Sequence, residues 1–303
     1  MRRSILARRL LSFGLVAAAL WYLGHTVAAN WRQVGSFDWQ VQPGLLALSV
    51  VAHVAELVLG VFIWSRVITH FGEPAPHFPA LVRIWSFSNA ARYIPGSIWQ
   101  FLAAAQLASQ AGVSRLLMLT SLAVHVGIVL VSAVVVSLLT IPWSHLGLGG
   151  VPPVAALALL PVVLVVHPRF LNLMLALLAK VTRRETLRWE GSWAQGIGLL
   201  LLAAGSWVFY GVAFLLFLRA LAPVSWDAFM PAIGINALSF AAGLLSPLPG
   251  GIGVRESAMA GLLGVLHLPA AVAVVLSALA RLWSIAAEVG TALVGLALRR
   301  RAE

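Results

Sequence analysis

The sequence predicts an all-α polytopic membrane protein. Of its 303 residues, 61% are hydrophobic and only 10% are charged, with a mean hydropathy of +0.97. Soluble domains carry about 25% charged residues, and a helix needs about 20 apolar residues to cross a bilayer. We expect one integral membrane domain, residues 1–303, with about six full transmembrane helices and two re-entrant broken-helix hairpins arranged as an inverted repeat.

Six apolar runs are long enough to cross a membrane. They are predicted at residues 10–29, 44–69, 116–141, 151–179, 193–218 and 270–298. The first run follows four arginines, a pattern shared with secretory signal peptides. Its length of about 20 residues fits an uncleaved spanning helix better.

Two further apolar stretches, 81–112 and 228–267, are interrupted by Pro-Gly sequences. Proline lacks a backbone donor and glycine weakens a helix, so neither stretch should continue as regular helix. Each arm of 81–112 has about 15 residues, fewer than the roughly 20 that a crossing needs. We predict that both stretches are re-entrant hairpins, although the first arm of 228–267 is nearly long enough to span.

The basic residues predict that both termini face the cytoplasm. Placing the N-terminus there gives the cytoplasmic side Arg66, Arg83, Arg115, Arg169, Lys180, Arg183, Arg184, Arg188 and Arg299 to Arg301. The outside receives only Arg32 and Arg219 beyond the spans, as the positive-inside rule requires. This distribution accounts for the net charge of +11, so nucleic acid is not an expected partner.

An internal repeat relates the two interrupted stretches. Pro95 and Pro249 lie 154 residues apart, and the same offset carries Gly44 to Gly198. The predicted order is a leading helix 10–29, repeat 44–141, a linking helix 151–179 and repeat 193–298. An odd number of crossings separates the first helices of the repeats, so the repeats are predicted to be inverted, as in many transporters.

Ionisable residues within the apolar runs are candidate site residues, because each costs about 2.5–3.5 kcal/mol at bilayer depth. The arginines predicted to bind a lipid headgroup are Arg92, Arg255 and Arg281. Those predicted to couple a proton or balance charge are Glu256, Glu288, Glu56 and His53. The backbone-break residues are Asn89, Pro95, Gly96, Pro249, Gly250, Gly251 and Gly253.

Structural alternatives stay open for several of these residues. Arg281 is also suited to a buried pair with Glu288 or Glu56, and Arg92 to reaching the cytoplasmic interface. His53 is also suited to a hydrogen-bonded packing role.

Two asparagines precede the breaks. Asn89 and Asn236 stand six and thirteen residues ahead of the two prolines. They are suited to satisfying carbonyls that the breaks leave free.

Helices that restart after Gly96 and Gly253 would present free backbone N–H groups and a partial positive charge. With Arg92 and Arg255 nearby, this favours an anionic group, and the apolar flanks favour acyl or isoprenoid chains. A phosphate-bearing lipid satisfies both demands. No cofactor or metal is predicted, because His53-Val54-Ala55-Glu56 is too short for a zinc motif.

The segments Asn89 to Trp99 and Leu248 to Ala258 resemble the flippase-like integral membrane family called the lysylphosphatidylglycerol synthase transmembrane region. The resemblance extends over nearly the whole chain and implies an inner (plasma) membrane protein that moves or presents lipid headgroups. By this likeness the break residues, together with Arg255 and Glu256, carry over as family motifs.

The chain departs from the family pattern in two places. It ends at Glu303 without a soluble aminoacyl-transferase domain, so lipid aminoacylation is not expected. The sequence contains no GxSxG, HExxH or paired-aspartate motif, so no other enzymatic activity is expected. Many relatives place Gly-Glu and an arginine where Trp99, Gln100 and Phe101 stand here, so the resemblance does not define the headgroup preference.

The leading functional prediction is a transporter that moves or presents a phospholipid or polyprenyl-linked carrier across the inner membrane. The alternative is a non-catalytic accessory subunit of a glycosyltransferase or lipid-modifying enzyme. Membrane lipid is the expected partner, and a membrane enzyme or a second copy of the chain stays open as a further partner.

Overall fold

The computed structural model describes residues 21, 24–73, 75–93, 99–147, 165–182, 185, 187–246 and 248–300, and these contain helices and connecting segments without a strand. The helices are α1 Trp31–Gly35, α2 Pro43–Thr69, α3 Phe78–Ala90, α4 Trp99–Gln110, α5 Arg115–Thr140, α6 Pro168–Thr182, α7 Trp193–Leu221, α8 Phe229–Leu245, α9 Val254–Leu263 and α10 Ala270–Arg300.

Five stretches of the described chain are long and apolar enough to cross a membrane: α2, α5, α7, Trp226–Leu245 and α10. Four of them coincide with the predicted spans 44–69, 116–141, 193–218 and 270–298. The fifth contains the first arm of the predicted hairpin 228–267, and its 20 residues reach the length of a crossing. The chain is therefore a multi-pass membrane protein.

Two predicted spans are described only in part. Residues 10–20 and 151–164 lie outside the described residues, so most of the leading helix cannot be compared. The span 151–179 was wrongly predicted as one helix, because residues 166 and 167 leave the helical conformation and α6 begins at Pro168. The physical reason is that proline disfavours the helical conformation of the residue before it.

Local sequence determines several helix starts. Proline occupies the first position of α2, where its missing N–H costs nothing. The Ser114 hydroxyl accepts a hydrogen bond from Leu117 N and caps α5. At α7, Ser192 and Gln195 form a reciprocal capping box.

Tryptophan side chains join the long helices to one another. In three places an indole N–H donates to a serine hydroxyl on another helix over 3.0 or 3.1 Å: Trp64 to Ser121, Trp207 to Ser132, and Trp283 to Ser49. These bonds link α2 with α5, α7 with α5, and α10 with α2. Interhelical hydrogen bonds of this kind contribute to helix association in lipid, where the hydrophobic effect between helices is absent.

The same neighbour relations occur in both halves of the chain. Helices α2 and α7 pack against each other at the centre. Helix α3 packs on α4 and α10, as α8 packs on α9 and α5. Helix α2 packs on α10, as α7 packs on α5. These contacts of 43–140 therefore have counterparts at the equivalent positions of 193–300.

The connecting segments meet at two ends of the helix bundle. At the Gln40 end, Gln40 N donates to Leu221 O, and the rings of His145 and His267 lie 5.5 Å apart. At the opposite end, which we call the His70 end, His70 O accepts from Glu190 N at 2.8 Å.

Candidate functional site

The two interruptions of the helices meet in the structure. The turn Ala91–Tyr93, which follows α3, contacts the turn Pro249–Gly251, which follows α8. We call α3 and α4 the first broken pair, and α8 and α9 the second broken pair. Pro95 and Gly96 lie in residues 94–98, outside the described part of the chain.

Glycine is required at the second break. Gly250, Gly251 and Gly253 have φ values of 58°, 66° and 85°, in the left-handed region where a side chain is strained. A Cβ atom on Gly251 would lie 2.6 Å from the carbonyl oxygen of Gly243. The chain therefore turns back directly against the end of α8, with no room for a side chain.

Glu256 and Arg281 hold the start of α9. Gly253 N donates to Glu256 Oε2 at 2.6 Å, which places a carboxylate at the positive end of the helix. Glu256 Oε1 lies 3.5 Å from Arg281 Nη1, and Arg281 Nη2 donates to Gly250 O at 2.9 Å. Helix α10 thus fastens the second break through one guanidinium group.

Arg255 connects the second break to the central helices. Its Nη2 donates to the Tyr210 hydroxyl at 2.8 Å, and its guanidinium lies 5.8 Å from the centre of the Phe240 ring. The His53 ring stacks on Tyr210 and on Trp283, with centroid distances of 4.4 and 4.5 Å. The site is therefore built from α2, α7, α9 and α10 together.

His53 also lies beside an acidic group. Its Nδ1 is 3.2 Å from Glu56 Oε2, and its side chain is 3% exposed. A histidine enclosed by two aromatic rings and one carboxylate has the contacts of a hydrogen-bonded packing residue.

Side chains hold the first broken pair. Gln100 Nε2 donates to Asn89 Oδ1 at 2.8 Å and links α4 to the end of α3. Arg92 forms an ion pair with Glu288 of α10. Arg92 therefore reaches from the first half of the chain to the last helix.

The ion pairs differ from those considered from the sequence. Arg281 pairs with Glu256, not with Glu288 or Glu56, and Glu288 pairs with Arg92. Spacing along α10 placed Arg281 and Glu288 on one face, but the partners come from the breaks, whose path the helical period does not determine.

The expected role of Asn236 is wrong for the described residues. Its side chain is fully buried, and among the described residues neither its amide nitrogen nor its amide oxygen has a hydrogen-bond partner. Asn89 does take part in holding its break, through Gln100 rather than through a free carbonyl.

Sequence reasoning missed Tyr210 and Gly243. The repeat offset pointed to the first, because it carries Glu56 to Tyr210 and His53 to Trp207. A Cβ atom on Gly243 would lie 2.9 Å from the Cβ atom of Arg255, so the glycine makes room for the arginine side chain. No signal in one sequence distinguishes this glycine from others that pack helices.

The charges of this intramembrane cluster balance. It contains three arginines and three glutamates, together with His53 and Tyr210: Arg92, Arg255, Arg281, Glu56, Glu256 and Glu288. A buried charge is tolerated in a low-dielectric interior when it is paired and hydrogen-bonded. Glu256, 8% exposed, meets that condition, and Arg255, also 8% exposed, donates to the Tyr210 hydroxyl.

Comparison with known proteins identifies the family of the chain. No curated protein matches the chain. The family model described as the lysylphosphatidylglycerol synthase TM region matches residues 9–289, which include both broken pairs and every charged residue of the cluster. The chain belongs to the lysylphosphatidylglycerol synthase transmembrane-region family.

Proposed function

We propose that this chain is a flippase-like transporter that moves or presents a phosphate-bearing lipid across the inner membrane, with both termini in the cytoplasm. The family suggests a membrane protein related to lipid modification or transport. The observation that carries the proposal is the meeting of two interrupted helices beside three arginines. Irregular backbone at membrane depth is tolerated where protein buries it or where it lines a cavity, and transporters use such breaks as binding sites.

The proposed binding site for the lipid phosphate group is the start of α9. The Glu256 carboxylate now accepts the Gly253 N–H and pairs with Arg281. A phosphate carries the same charge sign and the same acceptor oxygens as this carboxylate. The lipid phosphate would therefore compete with Glu256 for these donors, with Arg255 one residue away.

Charge balance predicts how binding is coupled. Adding a phosphodiester to a cluster of three arginines and three glutamates leaves one excess negative charge. Protonation of Glu256, displaced from its donors, would restore neutrality, while Glu56 and Glu288 keep His53 and Arg92 as neighbours.

We also propose that the two halves form an inverted repeat with broken pairs entering from opposite faces. The recurring neighbour relations of residues 43–140 and 193–300 support it. The sequence has no cysteine, so single cysteines introduced at His77, Gly112, Ser225 and His267 report sidedness directly. The first two should react with an impermeant maleimide only from the cytoplasm and the last two only from outside. Labelling of all four from one side would contradict the inverted arrangement.

Reconstitution tests the transport proposal. Purified protein in liposomes should raise the fraction of NBD-labelled phosphatidylglycerol, or of an NBD-labelled polyprenyl phosphate, that dithionite reaches from outside. Arg255→Gln and Glu256→Gln should return this fraction to that of protein-free liposomes. Arg66→Gln, which removes an exposed arginine from the end of α2, is the matched control and should behave as the wild type. Equal accessibility with and without wild-type protein would overturn the proposal.

One observation favours the alternative of a non-catalytic accessory subunit. Each arginine of the cluster already contacts a carboxylate, a carbonyl or a hydroxyl group, as a fixed scaffold would have it. An accessory subunit would co-purify with a glycosyltransferase or lipid-modifying enzyme. If the chain is an accessory subunit, Glu256→Gln should leave the activity of that enzyme unchanged. If the chain is a transporter, the same substitution should abolish lipid movement.

A further inference from the structure

A second polar site lies at the His70 end, away from the intramembrane cluster. A cavity of about 570 Å³ is lined by Pro168, Arg169, Asn172, Arg188, Trp189, Glu190 and Gly191, which we call the basic groove. Its volume is within the range of ligand pockets, about 300–1,000 Å³. The groove separates the start of α6 from the segment that leads into α7.

The wall of the basic groove is fixed by one asparagine. Asn172 Oδ1 accepts from Trp189 N at 2.8 Å, and Asn172 Nδ2 donates to Trp189 O at 3.0 Å. Glu190 N also donates to His70 O at 2.8 Å. Three hydrogen bonds therefore hold an irregular segment in one position, so the groove is formed before any ligand binds.

Trp189 supplies a buried donor with no acceptor. The residue is 3% exposed, and among the described residues its indole N–H has no hydrogen-bond partner. A Cβ on Gly191 would lie 2.8 Å from that nitrogen, so the indole edge lies against a glycine that lines the groove. A buried N–H without an acceptor is costly unless a ligand or water satisfies it.

The charged groups around this donor are mostly basic. Arg169 and Arg188 are exposed, and neither forms an ion pair within the described residues, while Glu190 contributes one negative charge. Burial, and then Arg66, lower the pKa of His70, so its imidazole beside Trp189 adds no charge at neutral pH. The groove therefore offers two guanidinium groups to an anion.

The surroundings indicate where the anion comes from. Helix α6 begins at the groove and carries a stripe of exposed apolar side chains: Leu173, Met174, Leu177 and Leu178. These four positions repeat along one side of the helix, as in a helix whose apolar face meets acyl chains. The basic groove thus opens beside a surface suited to lipid.

We propose that the basic groove binds the phosphate group of an anionic lipid at the membrane surface, with Arg169 and Arg188 as donors. Guanidinium groups suit phosphate oxygens because they present several fixed donors. The site is distinct from the start of α9 and does not depend on the transport proposal.

Native mass spectrometry of delipidated protein with added phosphatidylglycerol tests the proposal. The double variant Arg169→Gln/Arg188→Gln should lower the affinity for the most tightly bound phosphatidylglycerol molecule by about tenfold or more. Each lost charge-assisted hydrogen bond is worth about a factor of ten. Arg32→Gln/Arg115→Gln removes two other exposed arginines and should change this affinity less than about threefold. Phosphatidylcholine carries the same phosphate beside a cationic choline group, which the two arginines repel, so Arg169→Gln/Arg188→Gln should lower its affinity less than that of phosphatidylglycerol.

A competition arm identifies the source of the phosphate. If millimolar inorganic phosphate does not displace phosphatidylglycerol, the groove is a lipid site. If phosphate displaces it in the wild type but not in Arg169→Gln/Arg188→Gln, the groove binds phosphate groups in general. Equal losses in the two double variants, or no loss in either, would overturn the proposal. Glu256→Gln should leave this affinity unchanged, so failure here and failure of transport are distinguishable.

Discussion

The two broken pairs meet but are held by different means. The second has a close backbone contact, Gly251 against the carbonyl of Gly243, in addition to side-chain bonds such as that from Arg281 to Gly250 O. The first is held by side chains, through Asn89 with Gln100 and Arg92 with Glu288. Among the described residues this close backbone contact is found at the second break, so we expect the second break to tolerate substitution less than the first.

Substitution of Gly251 should have the largest effect. Gly251→Val places a β-branched side chain at a φ of 66° and against Gly243 O, so unfolding should become easier by about 3–5 kcal/mol. Gly261→Val in α9 is the control, because nothing lies within 4 Å of its Cβ position. The thermal midpoint in detergent micelles measures both. Similar midpoints for the two variants would refute the closed backbone at the second break.

Removing the charge of Glu256 should have the next largest effect. Glu256→Gln keeps a side-chain oxygen for Gly253 N but loses the attraction to Arg281, whose side chain is 13% exposed. We expect a loss of about 2–3 kcal/mol in stability, because a buried guanidinium is left without its carboxylate. The double variant Glu256→Gln/Arg281→Met should recover part of it. Additive losses would mean that the two residues do not interact.

The ion pair across the halves should contribute less. Arg92 and Glu288 have side chains 23% and 15% exposed, more than those of the pair at the second break. Arg92→Gln should therefore cost about 1–2 kcal/mol, and the charge swap Arg92→Glu/Glu288→Arg should restore most of it. If the swap were as unstable as Arg92→Glu alone, the pair would not be the feature that joins the halves.

The amide contact of the first broken pair should have the smallest effect on stability. Asn89→Ala removes a neutral hydrogen bond with Gln100 and should cost about 1 kcal/mol. Its effect on hydrogen exchange should be confined to α3 and α4, measured by mass spectrometry. Faster exchange throughout α8 and α9 would show that the first pair is as rigidly coupled as the second.

Much of the architecture could be predicted from the sequence, and the reasons are physical. Apolar length identified α2, α5, α7 and α10, because a crossing imposes a minimum number of apolar residues. Pro-Gly located the breaks, because neither residue supports a helix.

Other features depend on contacts between distant residues. The partners of Arg281 and Glu288, the donor to Asn89 and the place of Gly243 follow from how the broken pairs meet, not from helical spacing. Pro168 shows that hydropathy alone also misses a local break in a helix. Hydropathy treated 151–179 as continuous although its His-Pro step interrupts the helix.

Helix α10 has a mechanical consequence. Arg281 binds the second break and Glu288 binds the first, about 10 Å further along the same helix. Between them the Trp283 indole donates to Ser49 of α2. Any displacement of α10 would therefore change the contacts of both breaks and of α2 together.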